Sequence, residues 1–176
     1  MFTKILVSID DSGMSQHVLN EAASLAKATG GSMQLLHVVS PYDEPYVDPL
    51  FIQPTVIYSE LIAETQEKNL SDWEVFKQSK ESWLRSLCEG VTSSGIKAKY
   101  NLCTGNASRI ICDMARSWDA DTIVIGRRGR RGLSELFLGS VSNYVMHHAP
   151  CSVLTVQGPS ISTTEVSQTE DVEVSN

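Results

Sequence analysis

Thr122-Ile123-Val124-Ile125-Gly126-Arg127-Arg128-Gly129, then nine residues, then Gly139-Ser140-Val141-Ser142 is the stretch on which the fold turns. Thr122–Ile125 is short and wholly β-branched, the composition of a buried strand. Two glycines three apart let the backbone leave that strand and let a ligand approach closely. Gly139-Ser140 stands where a helix begins, with free N–H groups and a positive dipole end. Strand, glycine turn and helix N-terminus in that order suit a phosphate.

Outward from it, strands and helices alternate. Ile5–Ile9 is predicted as a first strand, followed by a helix over about Met14–Ala28 with Val18, Leu19, Ala22, Leu25 and Ala26 on one face. Gly30-Gly31 stops that helix, and Met33–Val39 is a second strand. Residues 40–58 hold prolines and the aromatics Tyr42, Tyr46, Phe51 and Tyr58 without periodicity, which predicts a long loop insertion. Ser71-Asp72-Trp73-Glu74 has the form of a capping box, with Leu70 and Val75 placed to staple it. Trp73, Phe76, Trp83, Leu84, Leu87 and Val91 then make an apolar stripe. The pattern leaves open whether 59–69 is a separate helix or an extension of this one. Lys97–Cys103 is a third strand, Gly105-Asn106 offers a cap, and Ala107 to Trp118 has a clean helical face. Ser140–His148 is a short helix closed by Pro150, and Ser152–Val156 is the last strand.

Alternating strands and helices predict an α/β fold, an open parallel sheet covered on both faces. Ligands in such sheets bind at the carboxyl ends of the strands. Asp10 and Gly126 each follow a strand, so both belong to that edge.

The chain has 176 residues, enough for one domain. Its net charge is −7, but residues 157–176 hold four acids and no Lys or Arg, so the rest is only mildly acidic. That balance argues against a general nucleic-acid or anionic-membrane binder. No apolar run reaches membrane-spanning length, no signal-peptide layout opens the chain, and Cys88, Cys103, Cys112 and Cys151 lack metal spacing. A cytoplasmic protein is expected. Residues 157–176, rich in Ser, Thr and acids, are expected to form a disordered acidic tail behind a domain of residues 1–156.

Other phosphate loops fail on spacing. G-x-x-x-x-G-K-[ST], G-x-G-x-x-G and G-x-S-x-G are all absent. What fits is G-x-x-G-x(9)-G-[ST], and with it the chain resembles the universal stress protein family, in its ATP-binding branch. The resemblance runs from Lys4 to Val156, through Ile5-Leu6-Val7-Ser8-Ile9-Asp10, Leu36-His37-Val38-Val39, Ala120-Asp121-Thr122-Ile123-Val124-Ile125-Gly126 and Ala149-Pro150-Cys151-Ser152-Val153-Leu154. It implies a five-stranded parallel sheet in the order 3-2-1-4-5 and a homodimer formed through the last strand, 152–156. It also implies that Asp10 contacts a ribose, that Ser8 and Ile9 border an adenine, and that Val38 adds a backbone contact. Gly126 and Gly129 would cradle phosphates, and Gly139, Ser140, Val141 and Ser142 would hold them. The chemistry agrees: a carboxylate accepts from a ribose diol, and hydroxyls and amides donate to phosphate oxygens.

Plainer roles exist for several of these residues. Asp10 also suits a helix cap, Ser140 an N-cap, and His37, in an apolar strand, a hydrogen-bonded core histidine. Arg127, Arg128, Arg130 and Arg131 place four of the fourteen basic residues in five positions, where a solvated loop or charge neutralisation of a nucleotide both fit. No aromatic platform for nucleic acid adjoins them. The expected ligand is ATP, with AMP, ADP or a cyclic adenine nucleotide as alternatives and Mg²⁺ as companion to ATP. No residue is placed as a general base, so at most slow hydrolysis or autophosphorylation is expected, with Ser140 and Ser142 as acceptors. Two other classes stay open: a module that recruits a protein partner through 40–58, and an adenine-nucleotide hydrolase. The hydrolase lacks its S-G-G-x-D-S loop here.

Overall fold

A computed structural model describes residues 1–39, 59–127 and 138–158, with the backbone alone over 59–70. The predicted insertion 40–58 and the tail from 159 on lie outside the described residues. The elements are β1 (Lys4–Ser8), α1 (Ser15–Thr29), β2 (Ser32–Val39), α2 (Ser59–Ser93), β3 (Ala98–Thr104), α3 (Ala107–Trp118), β4 (Thr122–Gly126), α4 (Ser140–His148) and β5 (Ser152–Val156). All pairings are parallel, in the order β3-β2-β1-β4-β5. The fold class and strand order therefore match the expectation.

Strand side chains alternate between two faces, and each face has its own core. Ile5, Val7, Ile9, Met33, Leu35 and Val124 pack with α1 and α2, through Val18, Leu19, Ala22, Leu84, Cys88 and Val91. Leu6, Leu36, Ile123 and Ile125 pack with α3 and α4, through Ile111, Cys112, Ala115 and Val145. Burial on both faces is why β1, β2 and β4 read as nearly continuous apolar runs. Gly30 ends α1 in the left-handed conformation at φ 67°, and its N–H reaches the Ala26 carbonyl. Asn106 caps α3, its side chain accepting from the Arg109 N–H at 3.1 Å.

One expectation fails. The capping-box sequence at Ser71 does not start a helix, because α2 runs unbroken from Ser59 to Ser93. Residues 59–70 are rich in Glu, Leu, Ala, Gln and Lys. Extending a helix through good formers adds a hydrogen bond per residue, whereas a new start must be nucleated. The staple fails with it: Val75 is 63% exposed, while Trp73 beside it is buried.

Candidate functional site

β1 has β2 on one side and β4 on the other, so the chain runs outward in opposite directions from the β1–β4 pair. The connection after β1 leads to α1 on one face, and that after β4 leads to α4 on the opposite face. The carboxyl edge between them is the switch point of the sheet, where a ligand crevice is found in folds of this class. Ser8 pairs with Ile125, which sets Ile9 and Asp10 beside Gly126 and Arg127.

Asp10 is organised by its own turn. Its Oδ1 accepts from the Ser12 N–H at 3.1 Å, the Ser12 hydroxyl at 2.5 Å and the Ser15 hydroxyl at 3.2 Å. The Ser15 hydroxyl also donates to the Asp10 carbonyl. Asp10 therefore organises the turn leading into α1 without capping it, since Met14 is the N-cap, and Oδ2 is the atom left for other partners in that geometry.

Val38 reaches the crevice through its backbone. The Ile9 N–H donates to the Leu36 carbonyl at 3.0 Å, continuing the ladder one residue past β1. Residues of a strand point their peptide groups alternately to either side. Two residues beyond Leu36, the Val38 N–H and C=O are thus directed past the end of β1.

On the β4 side the backbone is stitched at its base. The Arg127 N–H donates to the Val156 carbonyl at 2.7 Å, and the Arg127 carbonyl accepts from the Gly139 N–H at 2.9 Å. Gly139 is the N-cap, extended at φ −61° and ψ 152°, so Ser140 is the first helical residue rather than the cap. The first intrahelical acceptor is the Gly139 carbonyl, taken by Asn143 N–H at 2.8 Å. The amides of Ser140, Val141 and Ser142 precede it and have no acceptor within the helix. The Ser140 side chain is exposed, and Val141 packs partly into the core. Ser142 is 2% exposed, and its hydroxyl lies 2.9 Å from the Arg127 carbonyl and 3.0 Å from the Gly139 carbonyl. Its hydroxyl is committed to holding α4 against β4, and its amide is one of the three without an acceptor in the helix. Arg128 and Gly129 lie outside the described residues.

Sequence reasoning missed the contacts that α2 makes at this edge. The Lys80 ammonium on α2 pairs with Asp11 at 2.5 Å and stands over the Phe76 ring at 5.1 Å. Trp83 meets the His37 ring edge-on at 5.2 Å. His37 is a buried, hydrogen-bonded core residue as expected, but its partner, the Ile9 carbonyl at 2.9 Å, was not foreseen. No local pattern signals contacts across such sequence separations.

All four cysteines are free thiols, each with its pKa raised by burial. Raised thiols are poor nucleophiles at neutral pH. Among the described residues, no cluster of three or more His, Cys, Asp or Glu converges on a metal position. None of the described helices is long and apolar enough to cross a membrane.

The universal stress protein family model matches residues 1–157. The chain belongs to the universal stress protein family. It is 36% identical over 159 residues to universal stress protein Sll1388 of Synechocystis, covering 89% of this chain and 98% of that protein. Universal stress protein UspA of Lactobacillus plantarum superposes with a TM-score of 0.65 at 24% identity, covering 88% of this chain and 97% of that one. A universal stress protein in complex with cAMP superposes at 0.60 and 16% identity, covering 89% and 97%. An Arabidopsis thaliana family protein with AMP bound superposes at 0.56 and 18% identity, covering 92% and 95%. The solved structures carry the fold, and the family model and Sll1388 carry the family.

Proposed function

We propose that the crevice binds an adenine nucleotide, ATP foremost, and that the protein is a cytoplasmic, nucleotide-dependent stress-response or signalling module of the ATP-binding branch. One observation carries this: the Val38 peptide groups, the Asp10 carboxyl and the unpaired amides at the start of α4 converge on one switch point. Hydrogen-bonding edges suit a base, a carboxylate a ribose diol, and a helix N-terminus phosphates. Ser8 and Ile9 border the base, Gly126, Arg127, Arg128 and Gly129 line the phosphates, and Gly139, Ser140, Val141 and Ser142 hold them by their amides. Adenine nucleotides in two family structures, cAMP in one and AMP in the other, support the base and leave the phosphate number open. Mg²⁺ accompanies ATP, held mainly by phosphate oxygens. Turnover is at most slow hydrolysis or autophosphorylation, with Ser140 and Ser142 as acceptors, since none of the described residues is placed as a general base. Residues 1–156 form the binding domain, 40–58 an insertion suited to a protein partner, and 157–176 a solvated acidic tail.

Mass spectrometry of ligand released from gently purified protein tests this, with Gly126→Val/Gly129→Val as control. Thermal shift against ATP, AMP and cAMP ranks the ligands. Ser140→Asp separates binding from folding. A carboxylate at the first turn of α4 favours the helix by about 0.3–1 kcal/mol yet repels phosphate. Its melting temperature should hold or rise while ATP affinity falls about tenfold or more. Wild-type protein without nucleotide and without an ATP-dependent shift in melting temperature ends the proposal.

A further inference from the structure

The turn that carries Asp10 is held from outside, at both its flanks. Before Asp10, the Ile9 carbonyl accepts from His37 Nδ1 at 2.9 Å, and the same ring meets Trp83 of α2 in a T-shaped contact with centroids 5.2 Å apart. A carbonyl only accepts, so Nδ1 carries the proton. In a continued ladder the Ile9 carbonyl would be paired by the Val38 N–H. The imidazole provides that carbonyl with a donor from the side, which suits a ladder that stops here with the Val38 peptide turned to the crevice. After Asp10, Asp11 is paired with Lys80 at 2.5 Å, and both side chains are mostly covered, at 27% and 17% exposure. Lys80 and Trp83 are three residues apart on one helix and so share a face.

We propose that α2 sets the affinity of the nucleotide site: His37 under Trp83, and Lys80 on Asp11, are positioning residues that hold Ile9–Ser12, and with it Asp10, in the shape that accepts the ribose and base. The inference rests on the nucleotide reading above. It also makes α2 the element through which occupancy of the site is felt elsewhere. Loss of either contact loosens the turn, so binding must then order it again.

Calorimetric titration with ATP decides it, on wild type, Lys80→Met, His37→Leu and His37→Asn, alongside hydrogen exchange of the peptide spanning 9–15 without nucleotide. Lys80→Met should weaken ATP by about threefold and speed exchange over 9–15, with the melting temperature nearly unchanged. His37→Leu should weaken it by about tenfold, and His37→Asn, whose amide can replace Nδ1–H, by no more than about twofold. Wild-type affinity in both Lys80→Met and His37→Leu overturns the proposal. So does His37→Asn losing as much as His37→Leu, since packing alone would then explain the effect. Where His37→Leu does not fold, wild-type affinity in Lys80→Met overturns it. Wild type that takes up no ATP brings down the nucleotide function itself, an outcome distinct from intact binding in every variant.

Discussion

Asp121 shows how much one side chain can do at the amino edge, away from the site. Its Oδ2 accepts from the Thr3 hydroxyl and N–H, each at 2.8 Å, and from the Lys4 N–H at 2.9 Å, tying the start of β4 to the start of β1. The Thr3 hydroxyl, followed by the Lys4 and Thr3 amides, lowers its pKa below the usual carboxylate value. The folded form therefore favours the anion. Its stabilisation is complete above the unfolded value of about 3.9 and fades as pH falls through the lower folded one. In Asp121→Asn that contribution no longer titrates. The acid-side fall of the melting temperature should be shallower than in wild type when followed calorimetrically from pH 6 downward, and parallel curves would refute the assignment. The role of Asp121 was not legible in the sequence, although its place in the family pattern was. Asp10 was legible as a residue at the crevice, because a strand followed by Asp-Asp-Ser marks where a chain turns. Ser142 was named for its amide and its hydroxyl together, and in the structure the hydroxyl faces inward to two carbonyls. A hydroxyl's direction depends on which carbonyls the fold brings near it.

At the scale of elements, helix starts separate local signal from tertiary outcome. Asn106 and Ser71 both look like caps in sequence, and only Asn106 is one. Asn106→Ala should cost about 1 kcal/mol in denaturant unfolding. Ser71→Ala, at an exposed position inside α2, should be neutral or stabilising by up to about 0.5 kcal/mol. A cost of about 1 kcal/mol at Ser71 would instead restore a helix start there. The 35 residues of α2 span about 50 Å, against about 26 Å for the eight-residue β2, and Lys80 marks where the helix passes the carboxyl edge.

For the whole molecule, the strand order leaves β3 and β5 as edges. β5 alternates exposed and covered residues, and Leu154 is 42% exposed on it. An open strand edge with an exposed apolar side chain is a template for pairing with a second copy. The homodimer through 152–156 that the family resemblance implies uses this edge. Leu154→Asp should convert a dimer to a monomer in size-exclusion chromatography with light scattering, with nucleotide affinity retained. An unchanged mass would place the dimer elsewhere, and a monomeric wild type would remove it.

The amino-acid sequence by itself determined the order of elements, the parallel α/β class and the edge on which a ligand site must lie. Those depend on apolar periodicity, glycine stops and spacing, all local along the chain. With the family pattern it also indicated the strand order. Only the tertiary structure decided that α2 is one helix, that the Ser142 hydroxyl is internal, and that His37, Trp83, Lys80 and Asp11 together hold the turn around Asp10. Lys80 and Asp11 are 69 residues apart and His37 and Ile9 are 28 apart, and neither contact leaves a periodic trace. Such contacts exist because packing α2 across β3 and β2 brings those side chains within reach, which no window of sequence contains.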